Sequence, residues 1–366
     1  MRKDAPLPHP PLPHPPRPHR GALTNASGRY EKHVREAFDD GWTLEDEEDA
    51  PTPATTVTID ATRTIIARND SPDVPFDRSI NPYRGCEHGC IYCFARPSHA
   101  WLGLSPGLDF ETRLFAKPDA PHLLETELRA PRYRPATLAI GTNTDPYQPV
   151  ERRLRIMRGC LEVLAAFRHP VIITTKGALV TRDIDILAPM AAQGLAAVAI
   201  SLTTLDRDLC RVLEPRAATP KARLDAIRQL SAAGIPVTAM VAPVIPRVTD
   251  HELERLLEAA REAGASGAGY ILLRLPFEVK ELFAEWLEAH FPDRARHVLS
   301  LTAQARGGRH DGTGRARYTG TGAHGDLLAG RFHAAFRRLG FAARPFSLDC
   351  SRFRPPPRPG DQLALF

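Results

Sequence analysis

Three of the six cysteines in this 366-residue chain fall within eight residues, in Asn81-Pro-Tyr-Arg-Gly-Cys86-Glu-His-Gly-Cys90-Ile-Tyr-Cys93-Phe. Clustered thiols read as metal ligands before they read as a disulfide scaffold. At a C-x3-C-x2-C spacing, Cys86, Cys90 and Cys93 can wrap one face of an iron–sulfur cubane, each holding a different iron. Gly85 and Gly89 allow the positive φ values that so tight a wrap needs. Three ligands leave the fourth iron open, and an open coordination position marks a reactive metal site. The alternative is zinc, completed by His88 or His99. His88, however, lies between two cysteines, where the chain can hardly turn it back to the same ion. Cys160 and Cys210 sit among apolar residues of helical segments and read as core thiols, and Cys350 stands alone.

The elements that must position this loop follow an alternating pattern. β-rich apolar runs occur at Thr137–Ile140, Val171–Thr174, Ala196–Ile200, Val237–Val241 and Gly269–Leu273, with a first strand before Cys86. Helical spacing marks Arg152–Phe167, Lys221–Ala233 and Glu278–His290. Thr249 and Glu252 read as a capping box that opens a helix through Ala263. Strands separated by helices imply right-handed crossovers and a parallel sheet. Six such units are too few for a closed eight-stranded barrel, so the expected fold is α/β, an open (β/α)6 partial barrel. Its chemistry belongs at the C-terminal ends of the strands.

Composition bounds the class. Apolar residues make 43% and charged residues 25% of the chain, as in soluble globular proteins. The apolar run Gly194–Leu202 has nine residues, far short of the roughly 20 that a membrane span needs. With no apolar core for a signal peptide near Met1, the expectation is a cytoplasmic protein without a membrane partner. Residues 1–20 hold eight prolines and three histidines and read as an extended tail. An acidic run, Glu45–Asp49, then reads as a linker. The expected divisions are a disordered tail over 1–55, the barrel over 56–291, and an extension over 292–366. That extension carries 13 Arg, no Lys and five Asp+Glu, a net +8 against the chain's +5.

The cysteine spacing, with Tyr92 before the third cysteine, resembles the signature of radical S-adenosylmethionine (SAM) enzymes. The wider pattern is similar to their spore photoproduct lyase-like or "DNA repair photolyase-like" group. It is carried by Asn69-Asp-Ser-Pro-Asp-Val-Pro-Phe-Asp-Arg-Ser-Ile-Asn-Pro-Tyr-Arg-Gly, Gly141-Thr-Asn-Thr-Asp-Pro-Tyr-Gln-Pro-Val-Glu151, Leu213-Glu-Pro-Arg and Leu273-Arg-Leu-Pro. The resemblance implies a [4Fe–4S] cluster on the three cysteines, with SAM chelating the open iron. It implies reductive cleavage of SAM to a 5′-deoxyadenosyl radical that abstracts hydrogen from a substrate. A one-electron reductant of flavodoxin or ferredoxin type is implied as partner.

The same resemblance places Tyr92, Thr142, Asn143, Asp145, Lys176 and Ser201 around SAM. Asp145 or the Thr142–Asn143 pair would face the SAM ammonium, and Lys176 its carboxylate. The Ser201 hydroxyl suits a ribose or carboxylate contact. Glu214 and Arg216 read as ribose or substrate contacts, and Arg274 at the sixth strand end needs an anion or carboxylate if buried. One departure stands out. Spore photoproduct lyase returns a hydrogen atom from a cysteine after its second strand, and this chain has none between Cys93 and Cys160. Arg306, Arg309, Arg315 and Arg317 in the Gly-rich extension suit contact with a polyanion such as nucleic acid. A nucleic-acid lesion lyase, or a non-catalytic zinc- or cluster-bearing nucleic-acid-binding module, are therefore the competing functional expectations.

Overall fold

Short runs of Ile, Val, Ala and Thr, each too brief for a helix, become the strands. The computed structural model describes residues 19–31, 54–72, 74, 76–309, 311, 316–343 and 346–357. In chain order the strands are β1 (Thr56–Ile59), β2 (Ile66–Arg68), β3 (Arg78–Ile80), β4 (Tyr83–Arg84) and β5 (Arg113–Ala116). They continue with β6 (Leu138–Ile140), β7 (Val171–Thr175), β8 (Ala196–Leu202), β9 (Val237–Val244) and β10 (Gly267–Leu272).

The main sheet runs β10-β9-β8-β7-β6-β3-β2. Strands β3 and β6 to β10 are parallel neighbours, and only the edge strand β2 is antiparallel. The ends of this order do not pair, which gives the open partial barrel the alternation predicts. Register aligns Ile80, Ile140, Ile173, Val198 and Val237 in a row across five strands, and all five are buried. Every residue of β8 is buried, as expected for a parallel strand covered on both faces. A second sheet, β1-β5-β4, lies beside the cysteine loop and was not legible in the pattern.

The helices depart from expectation in two places. Arg152–Phe167 is interrupted at Arg155, whose φ of +53° separates Glu151–Leu154 from Ile156–Ala166. The capping box at Thr249 does not form. The Thr249 hydroxyl accepts from the amide of Ile245, while Glu252 accepts from the Thr204 hydroxyl and the Leu205 amide. A 3-10 turn, Asp250–Glu252, precedes helix Leu253–Glu262 instead. Segments Pro220–Ala232 and Val279–His290 are helical as the spacing predicts.

Beyond the barrel, helices Pro292–Gln304 and Gly322–Arg338 pack on it. Leu328, Phe332 and Phe341 join the barrel's own apolar core, and the Phe332 ring lies 4.8 Å from Tyr270. Phe353 returns to pack on Tyr133, Phe167 and His169. Of the segment expected to be a tail, residues 1–18 and 32–53 lie outside the described residues. Residues 19–31 depart from that expectation, because Arg20, Gly21, Ala22 and Leu23 are buried. No helix of the described residues is long and apolar enough to cross a membrane.

Candidate cofactor site

Past β3 and β4 the chain turns through Gly85 and Gly89, at φ +77° and +67°. Both values lie in the left-handed region that glycine enters at little cost. Successive turns, Gly89 N to Cys86 O at 3.3 Å and Cys93 N to Cys90 O at 3.1 Å, fold the loop on itself. Cys86 and Cys90 are buried and Cys93 is half-buried. Burial, then Asp145 and the other two thiols, push the Cys86 thiol well up. Burial, then the Glu214 carboxylate, do the same to Cys90. Thiols so close, and so penalised as bare anions, suit a cationic metal that takes them as thiolates.

The donor set distinguishes the two metals considered. Among the described residues no three or more His, Cys, Asp or Glu side chains converge on a single-ion site. A cubane distributes its thiolates over different irons and does not need such convergence. One ring nitrogen of each histidine has a partner. His88 Nδ1 faces Asp145 Oδ2 at 3.3 Å, and His99 Nε2 pairs with the Arg113 carbonyl at 3.0 Å. The three clustered thiols fit an iron–sulfur cluster.

Three sets of contacts fix the loop. From one side, Arg96, fully buried, donates to the carbonyls of Gly89, Cys90, Pro106 and Gly107 and to Glu111. Glu111 in turn accepts from the amides of Gly21 and Ala22. From the loop after β6, Thr144 donates to the Gly85 carbonyl at 2.6 Å, and Gln148 accepts from the Glu87 amide at 2.9 Å. From the third side, Ile91 N donates to Leu213 O, and Arg216 N to His88 O. Sequence reasoning missed Arg96, Glu111, Thr144 and Gln148 as holders of this loop. Thr144 and Gln148 did carry a signal, since both lie in the quoted stretch Gly141–Glu151.

The expected SAM and substrate residues gather at the same end of the barrel with different jobs. Asn81 links Thr142 and Asn143, donating to the Thr142 hydroxyl at 3.1 Å and accepting from the Asn143 amide at 2.9 Å. Asp145 accepts from the Tyr147 and Lys176 amides and the Thr175 hydroxyl. Burial works against its charge, but His88 and these donors hold the carboxyl down at about 2. Asp145 thus acts on its own loop, not as an open acceptor for an ammonium.

Glu214 also differs from its expected role as a ribose or substrate contact. Fully buried, it accepts from Tyr92, Thr203 and Arg223, with Lys176 Nζ at 4.0 Å. Against burial, Arg223 and Lys176 keep its carboxyl at about 2. This anchored carboxylate orients Tyr92, whose ring centre lies 5.6 Å from the Lys176 ammonium. Arg216 pairs with Glu87 at 3.0 Å, so it braces the cysteine loop in place of reaching a ligand. Ser201 is buried at the end of β8, and its carbonyl accepts from Arg223. Arg274 is buried beyond β10 with Asp311 at 3.6 Å. Arg306, expected to face a polyanion, is turned inward and bonds the carbonyls of Leu272, Leu273 and Arg317. Arg309 is exposed, and Arg315 lies outside the described residues.

The model of the radical SAM superfamily matches residues 80–260, from β3 to helix Leu253–Glu262. A protein of Mycobacterium tuberculosis, "Uncharacterized protein Rv2578c", is 43% identical over 230 residues, 62% of this chain and 68% of that one. "Uncharacterized protein MJ0683" of Methanocaldococcus jannaschii is 24% identical over 227 residues, 62% of this chain and 81% of the other. Among solved structures, a spore photoproduct lyase double mutant with bound AdoMet and dinucleoside spore photoproduct superposes with a TM-score of 0.56. It does so at 17% identity, over 78% of this chain and 80% of that chain, which is a likeness of fold. The clamped cysteine loop at the strand ends of an open parallel barrel, and the family match that spans it, place this chain in the radical SAM superfamily.

Proposed function

We propose that Cys86, Cys90 and Cys93 hold a [4Fe–4S] cluster with SAM on its open iron, and that the chain is an enzyme acting on a substrate at the barrel mouth. The observation that carries this reading is the cysteine loop itself, which is buried and fixed from three sides while its three thiols remain uncommitted to disulfides. Bound there, the group would supply a 5′-deoxyadenosyl radical that abstracts hydrogen.

The protein's own residues hold and shield. Lys176 presents a cation over the Tyr92 ring and beside Cys90, placed to meet the SAM carboxylate. Asn81 orients Thr142 and Asn143 toward the same space. Glu214 is a positioning residue that keeps Tyr92 and Lys176 in place. An external flavodoxin- or ferredoxin-type reductant would supply the electron. The missing cysteine between Cys93 and Cys160 argues against a reaction that returns hydrogen from a thiol at that loop.

The test is anaerobic reconstitution followed by dithionite reduction with SAM. About four irons per chain and reductant-dependent release of 5′-deoxyadenosine are expected. One zinc per chain with no SAM cleavage would overturn the reading.

A further inference from the structure

Arg274 enters the mouth just past β10, beside the third cysteine. Its guanidinium carbon lies 4.4 Å from the centre of the Phe94 ring, and Phe94 stays 45% exposed directly after Cys93. Arg274 itself is only 9% exposed, and its Nη1 is buried without a hydrogen-bond acceptor. The nearby carboxylate oxygen, Asp311 Oδ1, is 3.6 Å away, beyond hydrogen-bond reach. Three other buried arginines differ. Arg96, Arg223 and Arg306 direct their donors at carbonyls and carboxylates.

The extension delivers a second cation to the same place. Arg306 donates through Nη1 to the Arg317 carbonyl at 2.7 Å and through Nη2 to Leu272 at 2.6 Å. Thr321 N donates to Ala305 O at 2.8 Å. Gly320, at φ +76°, lies so close to β10 that an added Cβ would sit 2.6 Å from the Leu272 side chain. Segment 316–321 is thereby pinned on the end of β10, with Arg317 beside Arg274. Burial, then the Arg317 charge, lower the pKa of Arg274. A buried guanidinium with an unused donor and a like charge next to it is the arrangement a bound oxyanion relieves.

We propose that Arg274, backed by Arg317 and flanked by Phe94, is an oxyanion subsite that takes a carboxylate or phosphate group of the substrate. Asp311 is the internal carboxylate that competes for it. The inference rests on the reading that this mouth holds the cluster and SAM.

Its test is calorimetric titration of the reconstituted, SAM-loaded full chain with phenyl phosphate and with benzoate, which share a ring and differ in the anion. At least one is expected to bind once per chain, and the one that does identifies phosphate or carboxylate as the recognised group. Arg274→Gln is expected to weaken it about tenfold or more, the loss typical of a charged hydrogen bond. Asp311→Asn, on the surface loop, is expected to tighten it about threefold by removing the competing charge. This second variant keeps the test intact if Arg274→Gln does not fold. Failure of both probes to bind, wild-type affinity in Arg274→Gln, or no gain in Asp311→Asn overturns the subsite alone. A wild type that does not bind SAM overturns the reading of the site and the subsite together.

Discussion

At the scale of single residues, Arg96 places a full charge where no solvent reaches, and its donors end on four carbonyls and one carboxylate. Arg96→Met would keep most of the volume but leave Glu111 buried without its cation. A loss of about 3–5 kcal/mol is expected, read as a lower thermal midpoint together with reduced iron retention. An unchanged midpoint would refute the clamp. His99 and His169 add a pH dependence. Burial lowers both to about 4, below the unfolded value near 6.5. The unfolded chain therefore takes up protons first as pH falls, and stability is lost between about pH 6.5 and 4. At pH 5 the loss is about 2 kcal/mol for each histidine. Urea midpoints at pH 7 and pH 5 check the sign, and a midpoint that rises on acidification contradicts it. The cysteines were legible because their ligand spacing is compressed into one short segment. Arg96 and Glu111 were not, since their partners lie as far as Gly21 and only tertiary packing unites them.

Among the elements, the cysteine loop depends on glycine at two turns. At Gly89 an added Cβ would stand 2.7 Å from Glu111 Oε2, in a backbone that already has φ +67°. Gly89→Ala thus carries about 1 kcal/mol or more of left-handed strain and displaces the carboxylate that binds Arg96. Reconstituted Gly89→Ala is expected to hold clearly less iron than wild type at equal secondary structure by circular dichroism. Full loading would show that the turn is more tolerant than its contacts imply. The strands were legible because parallel pairing buries both faces and leaves short, nearly all-apolar runs such as Ala196–Leu202. The capping box misled because Glu252 has a stronger long-range use. It satisfies Thr204 and Leu205, 48 and 47 residues away in sequence, and a local motif gave way to tertiary demand.

Taken as a whole, the molecule closes one side of its cofactor site with a segment that reads as tail. Gly21 and Ala22 hydrogen-bond Glu111, Thr24 reaches Glu285 at 2.7 Å, and Arg29 pairs with Glu278 at 2.6 Å. Residues 19–31 thus tie the cysteine loop to helix Val279–His290. Deleting residues 1–31 is expected to lower the thermal midpoint and speed cluster loss in air, whereas deleting 1–18 removes none of these contacts. Equal behaviour of the two truncations would contradict the bridge. The bridge was not legible, because its value comes from three distant acidic partners and from no local periodicity. Electron paramagnetic resonance of the reduced, reconstituted chain, with and without SAM, tests the proposed cluster directly. A reduced-cluster signal is expected whose g values shift when SAM binds the open iron, and which Cys90→Ala abolishes. A signal indifferent to SAM, or one that persists in Cys90→Ala, would contradict it.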